Sequence, residues 1–220
     1  MLAWVITAAL GATPTVGLAW TPLSRADLSW VADERTSGTG VGEFDGIVDP
    51  SLSAWGGVWL RERWAIVGGL GVARLTSTTW DGDVWRQRHW GVIRPSADLR
   101  WAAMKRDDAH AIVPFLDFGV HGAIPSARDT SNGYSAEEAD QADADATLDR
   151  LRLGGVGGRV GAGVDWRPTP GIALGAQYVV EARFGTLRTT DTSIVSSWIS
   201  SQVELLVAFE WAARANPPAP

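Results

Sequence analysis

Val203-Glu204-Leu205-Leu206-Val207-Ala208-Phe209-Glu210-Trp211 closes the clearest run of alternating residues in the chain. From 195 the odd positions read Val195, Ser197, Ile199, Ser201, Val203, Leu205, Val207, Phe209 and Trp211. The even positions from 200 include Ser200, Gln202, Glu204 and Glu210. Side chains of an extended strand point to opposite faces in turn, so this period of two predicts a strand with one apolar side. Upstream, 172–187 repeats the pattern in the opposite phase. There Ile172, Leu174, Ala176, Tyr178, Val180, Ala182 and Phe184 face Gln177, Glu181 and Arg183. In 154–166, Val156, Val160, Val164 and Trp166 oppose Arg159, Asp165 and four glycines. Segments 112–124 and 91–103 alternate likewise, with Leu116 and Phe118 against Asp117 and His121, and Leu99 and Trp101 against Asp98 and Arg100. Weaker alternation over 64–78, 48–61 and 26–34 brings the expected number of strands to eight.

A length of 220 residues suits one β domain of this kind. The chain has no cysteine, which excludes a disulfide framework and thiolate-bound metal. Its net charge of −6 argues against nucleic acid, whose phosphates require clustered Lys and Arg. Tryptophan is nearly the sole large aromatic, with 13 copies against five Phe and two Tyr. Its amphipathic ring favours boundaries between apolar and wet surroundings. Residues 1–24 carry no charged side chain, and Leu2 to Leu10 has the length of a signal-peptide apolar core. Gly17-Leu18-Ala19 supplies small residues for cleavage, so the expected division is a signal peptide at 1–19 and a barrel at 20–211. An uncleaved anchor and an ordinary buried segment are the other readings of this stretch.

Alternation alone does not say which face is outside, because a soluble lipocalin-like binder would hide the apolar side. Three features favour the reverse arrangement. Connections at Arg61-Glu62-Arg63, 105–108 and 167–170 are short, whereas 35–46 and 125–152 read as long loops at the opposite end. Trp64, Trp101, Trp166 and Trp211 fall at the short-turn rim, and Trp80, Trp85 and Trp198 near the other, as two interface girdles. Strands of 11–16 residues match a tilted crossing of a ~25 Å apolar band. The fold expected is all-β, an eight-stranded antiparallel up-and-down transmembrane β-barrel.

The alternating C-terminal strand ending on an aromatic resembles the closing signal of outer-membrane proteins. Over 26–211 the chain resembles small barrels of the OmpA/OmpX type. That resemblance implies a bacterial outer membrane, contact with its lipid and lipopolysaccharide, and delivery by the outer-membrane assembly machinery. The family usually ends on the aromatic, whereas here Ala212 to Pro220 follows, a Pro-rich tail expected to be disordered. It is too short for a domain that grips the cell wall.

Eight strands leave an interior just wide enough for side chains to fill. The polar faces would send Arg94, Asp98, Arg100, Asp117, His121, Arg159, Asp165, Glu181, Arg183, Gln202 and Glu204 inward. A paired charge network is expected, since buried charges need partners. A narrow or gated channel is the alternative. Catalysis finds little support: among His89, His110 and His121 only the last lies near a strand's long-loop end, with Ser126 five residues on. No phosphate loop, dinucleotide fingerprint or zinc-protease motif occurs, and no catalytic, metal or cofactor residue is expected. Segment 125–152 holds seven acids between Asp129 and Asp149 and no base, and without them the net charge would be +1. Asp140, Asp143 and Asp145 lack calcium-loop spacing, so a solvated loop is expected, with a divalent cation or a partner as the alternative. Ala142 to Leu151 reads as a short helix within it.

Overall fold

The computed structural model describes the backbone of residues 12–34, 38–48, 50–60, 63–81, 84–105, 112–130, 154–169, 171–188 and 192–211. Side chains are described for 12–25, 50–60, 63–74, 91–105, 112–125, 154–169, 171–185 and 195–211. The elements are β1 (Thr13–Glu34), β2 (Gly38–Val48), β3 (Ser51–Leu60), β4 (Trp64–Asp81) and β5 (Val84–Ala102). After these come β6 (Ile112–Thr130), β7 (Gly155–Thr169), β8 (Ile172–Arg188) and β9 (Thr192–Glu210).

The chain is a closed, antiparallel, eight-stave barrel, because β2 and β3 together make one stave. β1 pairs with β2 from Ser24↔Val48 to Glu34↔Gly38 and with β3 from Thr13↔Trp59 to Thr21↔Ser51. Between those ladders Pro22 and Pro50 leave two backbones without an N–H to offer, so the pairing lapses where donors are missing. β1 also bulges against β9 between Trp20 and Leu23. Closure runs from Thr15↔Glu210 to Glu34↔Thr192, and the Trp211 N–H donates to the Pro14 carbonyl at 3.1 Å.

Three expectations change. The barrel starts at Thr13, not Trp20: Thr13–Ala19 is the first part of β1, held by β3 on one side and β9 on the other. Cleavage before Trp20 would strip both neighbours of their partner there. The apolar run Leu2–Leu10 and the tail from Ala212 lie outside the described residues. The stretch 35–46 is not a long loop, because β2 begins at Gly38 and pairs back onto β1. Residues 125–130 belong to β6, paired with β5 as far as Thr130↔Arg88, so that connection starts later. The rest of the acidic segment and its expected helix fall outside the described residues.

The outward face is apolar on every described stave. Leu18, Leu52, Ile66, Leu99, Phe118, Val160, Tyr178 and Val207 are all more than a third exposed. A soluble monomer rarely exposes apolar patches above a few hundred Å². Here the apolar surface is a continuous belt, ended by exposed Trp64, Trp166 and Trp211 at the short-turn rim. Trp64 and Trp101 sit together there, ring centroids 6.5 Å apart. Such a belt is at equilibrium only against hydrocarbon, which makes this a membrane-spanning barrel. Trp80 and Trp85 pair across the top of β4 and β5, but their side chains are outside the described set. Trp198 corrects the girdle: only 5% exposed, it points inward with Ser196, Ser200 and Gln202. Its even number in β9 puts it on the polar face, and its height near the rim does not alter that.

Candidate functional site: the charged interior

Inward-facing large residues are matched across strands by glycines. Trp55 pairs with Gly17, Asp98 with Gly119, Phe115 with Gly163 and Asp165 with Gly175. A Cβ on Gly17 would lie 2.5 Å from the Trp55 ring, and one on Gly163 would lie 2.6 Å from the Phe115 ring. Absence of a side chain on one strand therefore makes the seat for a bulky one on the next.

At the short-turn end apolar clusters pack beside the buried Asp165 and the Arg167–Glu210 pair, in which Arg167 Nη2 donates to Glu210 Oε2 at 2.6 Å. Trp59, Ala65, Val67, Ala102 and Val113 form one buried cluster, and Ala19, Phe115 and Leu206 another, with Trp55 packed against both. Next comes the Arg100–Asp117 pair, formed between directly opposed residues of β5 and β6. Arg100 Nε donates to Asp117 Oδ1 and its Nη2 to Oδ2, both at 2.8 Å, in the forked geometry that favours guanidinium and carboxylate. The guanidinium also lies 4.0 Å over the Phe115 ring and 5.5 Å from Trp55. Its charge is therefore covered on its faces by rings and on its edge by a carboxylate.

Above this pair, Arg159 of β7 reaches across the lumen. Its Nε is 3.4 Å from Asp98 Oδ1 in an ion pair without hydrogen-bond alignment, and its Nη2 donates to Glu204 Oε2 at 3.4 Å. Glu204 also accepts from Gln177 and, at 2.6 Å, from Gln202 Nε2. Higher again, Glu181 is the hub, at 1% exposure. It accepts a short hydrogen bond from Arg94, one from Gln202 Nε2 at 3.3 Å and one from Ser200 at 3.5 Å. Arg94 Nη1 donates to Gln202 Oε1 at 3.3 Å. Nε2 of His121 is 3.7 Å from Glu181, and neither ring nitrogen hydrogen-bonds to the described residues. Arg183 caps the column, 4.6 Å over the Trp198 ring.

Arg94, Asp98, Arg100, Asp117, His121, Arg159, Asp165, Glu181, Arg183 and Glu204 thus all lie on the inward face, brought together from five strands. Gln177 and Ser200, which the alternation puts on the polar faces but outside the expected inward set, supply hydrogen bonds to Glu204 and Glu181. Trp55 and Trp59 were silent in the sequence, because Gly56 and Gly57 blur the alternation of β3. Among the described residues no cluster suits a metal ion.

The interior cavities lined by the described residues are small. One cavity of about 20 Å³ lies among Ser24, Arg94, Arg183 and Trp198. Another of about 30 Å³ lies among Trp55, Asp98, Arg100 and Gln177. Each has room for a water or two.

A closed barrel with an apolar exterior and a charge-paired interior defines the class: this is the fold of the small outer-membrane β-barrels. The solved structure of the outer membrane protein OprG from Pseudomonas aeruginosa superposes with a TM-score of 0.54, covering 90% of this chain and 96% of that one at 9% identity. AlkL, determined in lipid bilayers, gives 0.48 at 12% identity, covering 94% of this chain and 93% of its own. Neisserial surface protein A gives 0.46 at 14% identity, covering 91% and 99%. No family model matches the sequence, and no curated protein matches it either. What is shared is therefore a backbone architecture.

Proposed function

We propose that the chain is a non-enzymatic protein of the bacterial outer membrane, a plugged barrel that acts structurally or through its loop end. The observation that carries this reading is the filled lumen. Arg94, Arg100 and Arg159 pair with Asp98, Asp117, Glu181 and Glu204 across the interior, and Trp55, Trp59 and Phe115 pack into its short-turn end. His121 is 3% exposed behind the wall, a position no lipid substrate reaches. The acidic segment between Asp129 and Asp149 is the proposed contact for a partner or a divalent cation.

Planar-bilayer recording tests the plug. The reconstituted barrel is expected to show no conductance above the lipid baseline, and discrete openings would favour the gated channel. Heat-modifiable gel mobility and a need for detergent test the membrane setting, which a chain soluble without detergent would refute.

A further inference from the structure

We propose that the wall made by β1, β3 and β4 seats one anionic, phosphate-bearing lipid from the leaflet nearer the Glu34 end of β1. Its acyl chain would lie in an outward groove over Gly56 and Gly68, and its headgroup against Arg25 and Arg74. This rests on the membrane-barrel reading and adds a specific ligand to it.

The groove measures about 710 Å³ and is walled by Val16 and Leu18 of β1, Leu70 of β4 and Phe209 of β9. Gly56 and Gly68 are direct partners across β3 and β4. Beyond its chain neighbours, a Cβ on Gly56 would come no nearer than 3.8 Å to another residue, at Thr15 and Val16, and one on Gly68 no nearer than 3.9 Å, at the Ser96 carbonyl. Inward glycines differ: a Cβ on Gly69 would sit 2.7 Å from Ser96 Oγ, and on Gly57 2.4 Å from the Ile66 carbonyl. The protein's own packing demands glycine inside the wall and does not demand it at Gly56 or Gly68. Glycine costs strand stability, so this pair trades stability for a trench of bare backbone. In a bilayer the trench faces hydrocarbon, and small residues let a neighbouring chain approach the backbone closely.

Charge placement selects the occupant. Going up the outward face, Arg25 follows Trp20 and Leu23 on β1, and Arg74 follows Leu70 and Val72 on β4; each is the first charge above the belt and is exposed. Their inward neighbours Ser24 and Ala73 line one and the same interior cavity, which puts both arginines at one height. β1 and β4 flank the single β2/β3 stave; Arg25 pairs with Ile47, and the β3–β4 register carried on from Leu52↔Val72 puts Arg74 level with Pro50, so three residues of offset and two strand spacings set the arginines about 14 Å apart. Six residues separate Gly68 from Arg74, roughly 20 Å along a strand and about 14 Å of depth at a 45° tilt. That is close to half of a ~30 Å hydrocarbon core, the depth of one leaflet's chains. Guanidinium groups at that level match a phosphate as forked donors.

The test is native mass spectrometry of the full chain released from bilayers holding equal dimyristoyl phosphatidic acid and dimyristoyl phosphatidylcholine. One phosphatidic acid per barrel is expected, at least tenfold over phosphatidylcholine. Gly56→Leu and Gly68→Leu, which meet no clash at Cβ, should cut retention at least tenfold while keeping heat-modifiable mobility. Arg25→Gln with Arg74→Gln should abolish the headgroup preference. Equal retention of the two lipids, indifference to the groove substitutions, or displacement by millimolar inorganic phosphate would overturn the site. Disulfide-linked dimers of a Gly56→Cys chain would assign the groove to a second copy instead, and overturn it too. A wild-type chain lacking heat-modifiable mobility would bring down the membrane reading beneath it.

Discussion

Removing one member of the Arg100–Asp117 pair should cost far more than removing both. The two side chains are 6% and 3% exposed and joined by two bonds of 2.8 Å. Asp117→Val leaves a guanidinium enclosed by Phe115 and Trp55, and Arg100→Met leaves a carboxylate in a closed interior. An uncompensated buried charge of this kind costs about 3–5 kcal/mol, so independent effects would add to roughly 6–10 kcal/mol. The double variant buries no stranded charge from this pair. It loses mainly the Arg100–Phe115 stacking, about 1 kcal/mol, and should lie within about 2 kcal/mol of wild type. Urea titration of the barrel folded in detergent micelles, with the folded fraction read from heat-modifiable mobility, measures all three variants. Additivity to within ~0.5 kcal/mol would mean that the pair is not an isolated, desolvated unit, and would refute the reasoning.

Depth along the outer face should govern tolerance of charge. Val160→Arg, near the middle of the belt, should destabilise by about 2–4 kcal/mol, whereas Ile172→Arg beside the β7–β8 turn should cost about 0–1 kcal/mol in the same titration. Trp166 and Trp198 should separate by their surroundings: lipids with brominated chains should quench less emission in Trp166→Phe than in wild type, and Trp198→Phe should leave the quenched part unchanged. Trp198→Ala should also destabilise by about 3–5 kcal/mol, since it uncovers Arg183 and empties a packed position.

Much of the barrel was legible because a strand between lipid and lumen must alternate, and the alternation survives without any tertiary information. The phases of β5 to β9 name the inward charges from Arg94 to Glu204, though not the Arg167–Glu210 pair at the short-turn end. Legibility fades where small residues replace the contrast. In β3 the stretch Ala54-Trp55-Gly56-Gly57 hides which side Trp55 takes, and in β1 the apolar Thr13–Leu23 alternates too weakly to be told from a leader. Trp198 shows a different failure, since its height suggested a girdle while its parity already placed it inside.

By itself the sequence determined the strand count, the polarity of each face and the set of charges that share an interior, because all three follow from a period of two. It could not determine pairing. Arg94 could have met Asp98 or Asp117; the register and shear of the closed wall place it beside Glu181 and Gln202 from the far side. Closure also decided that β1 begins at Thr13, since only the open edges of β3 and β9 reveal that a strand is required between them. Which residues meet across a lumen depends on the stagger of all eight staves at once, and that is a property of the ring.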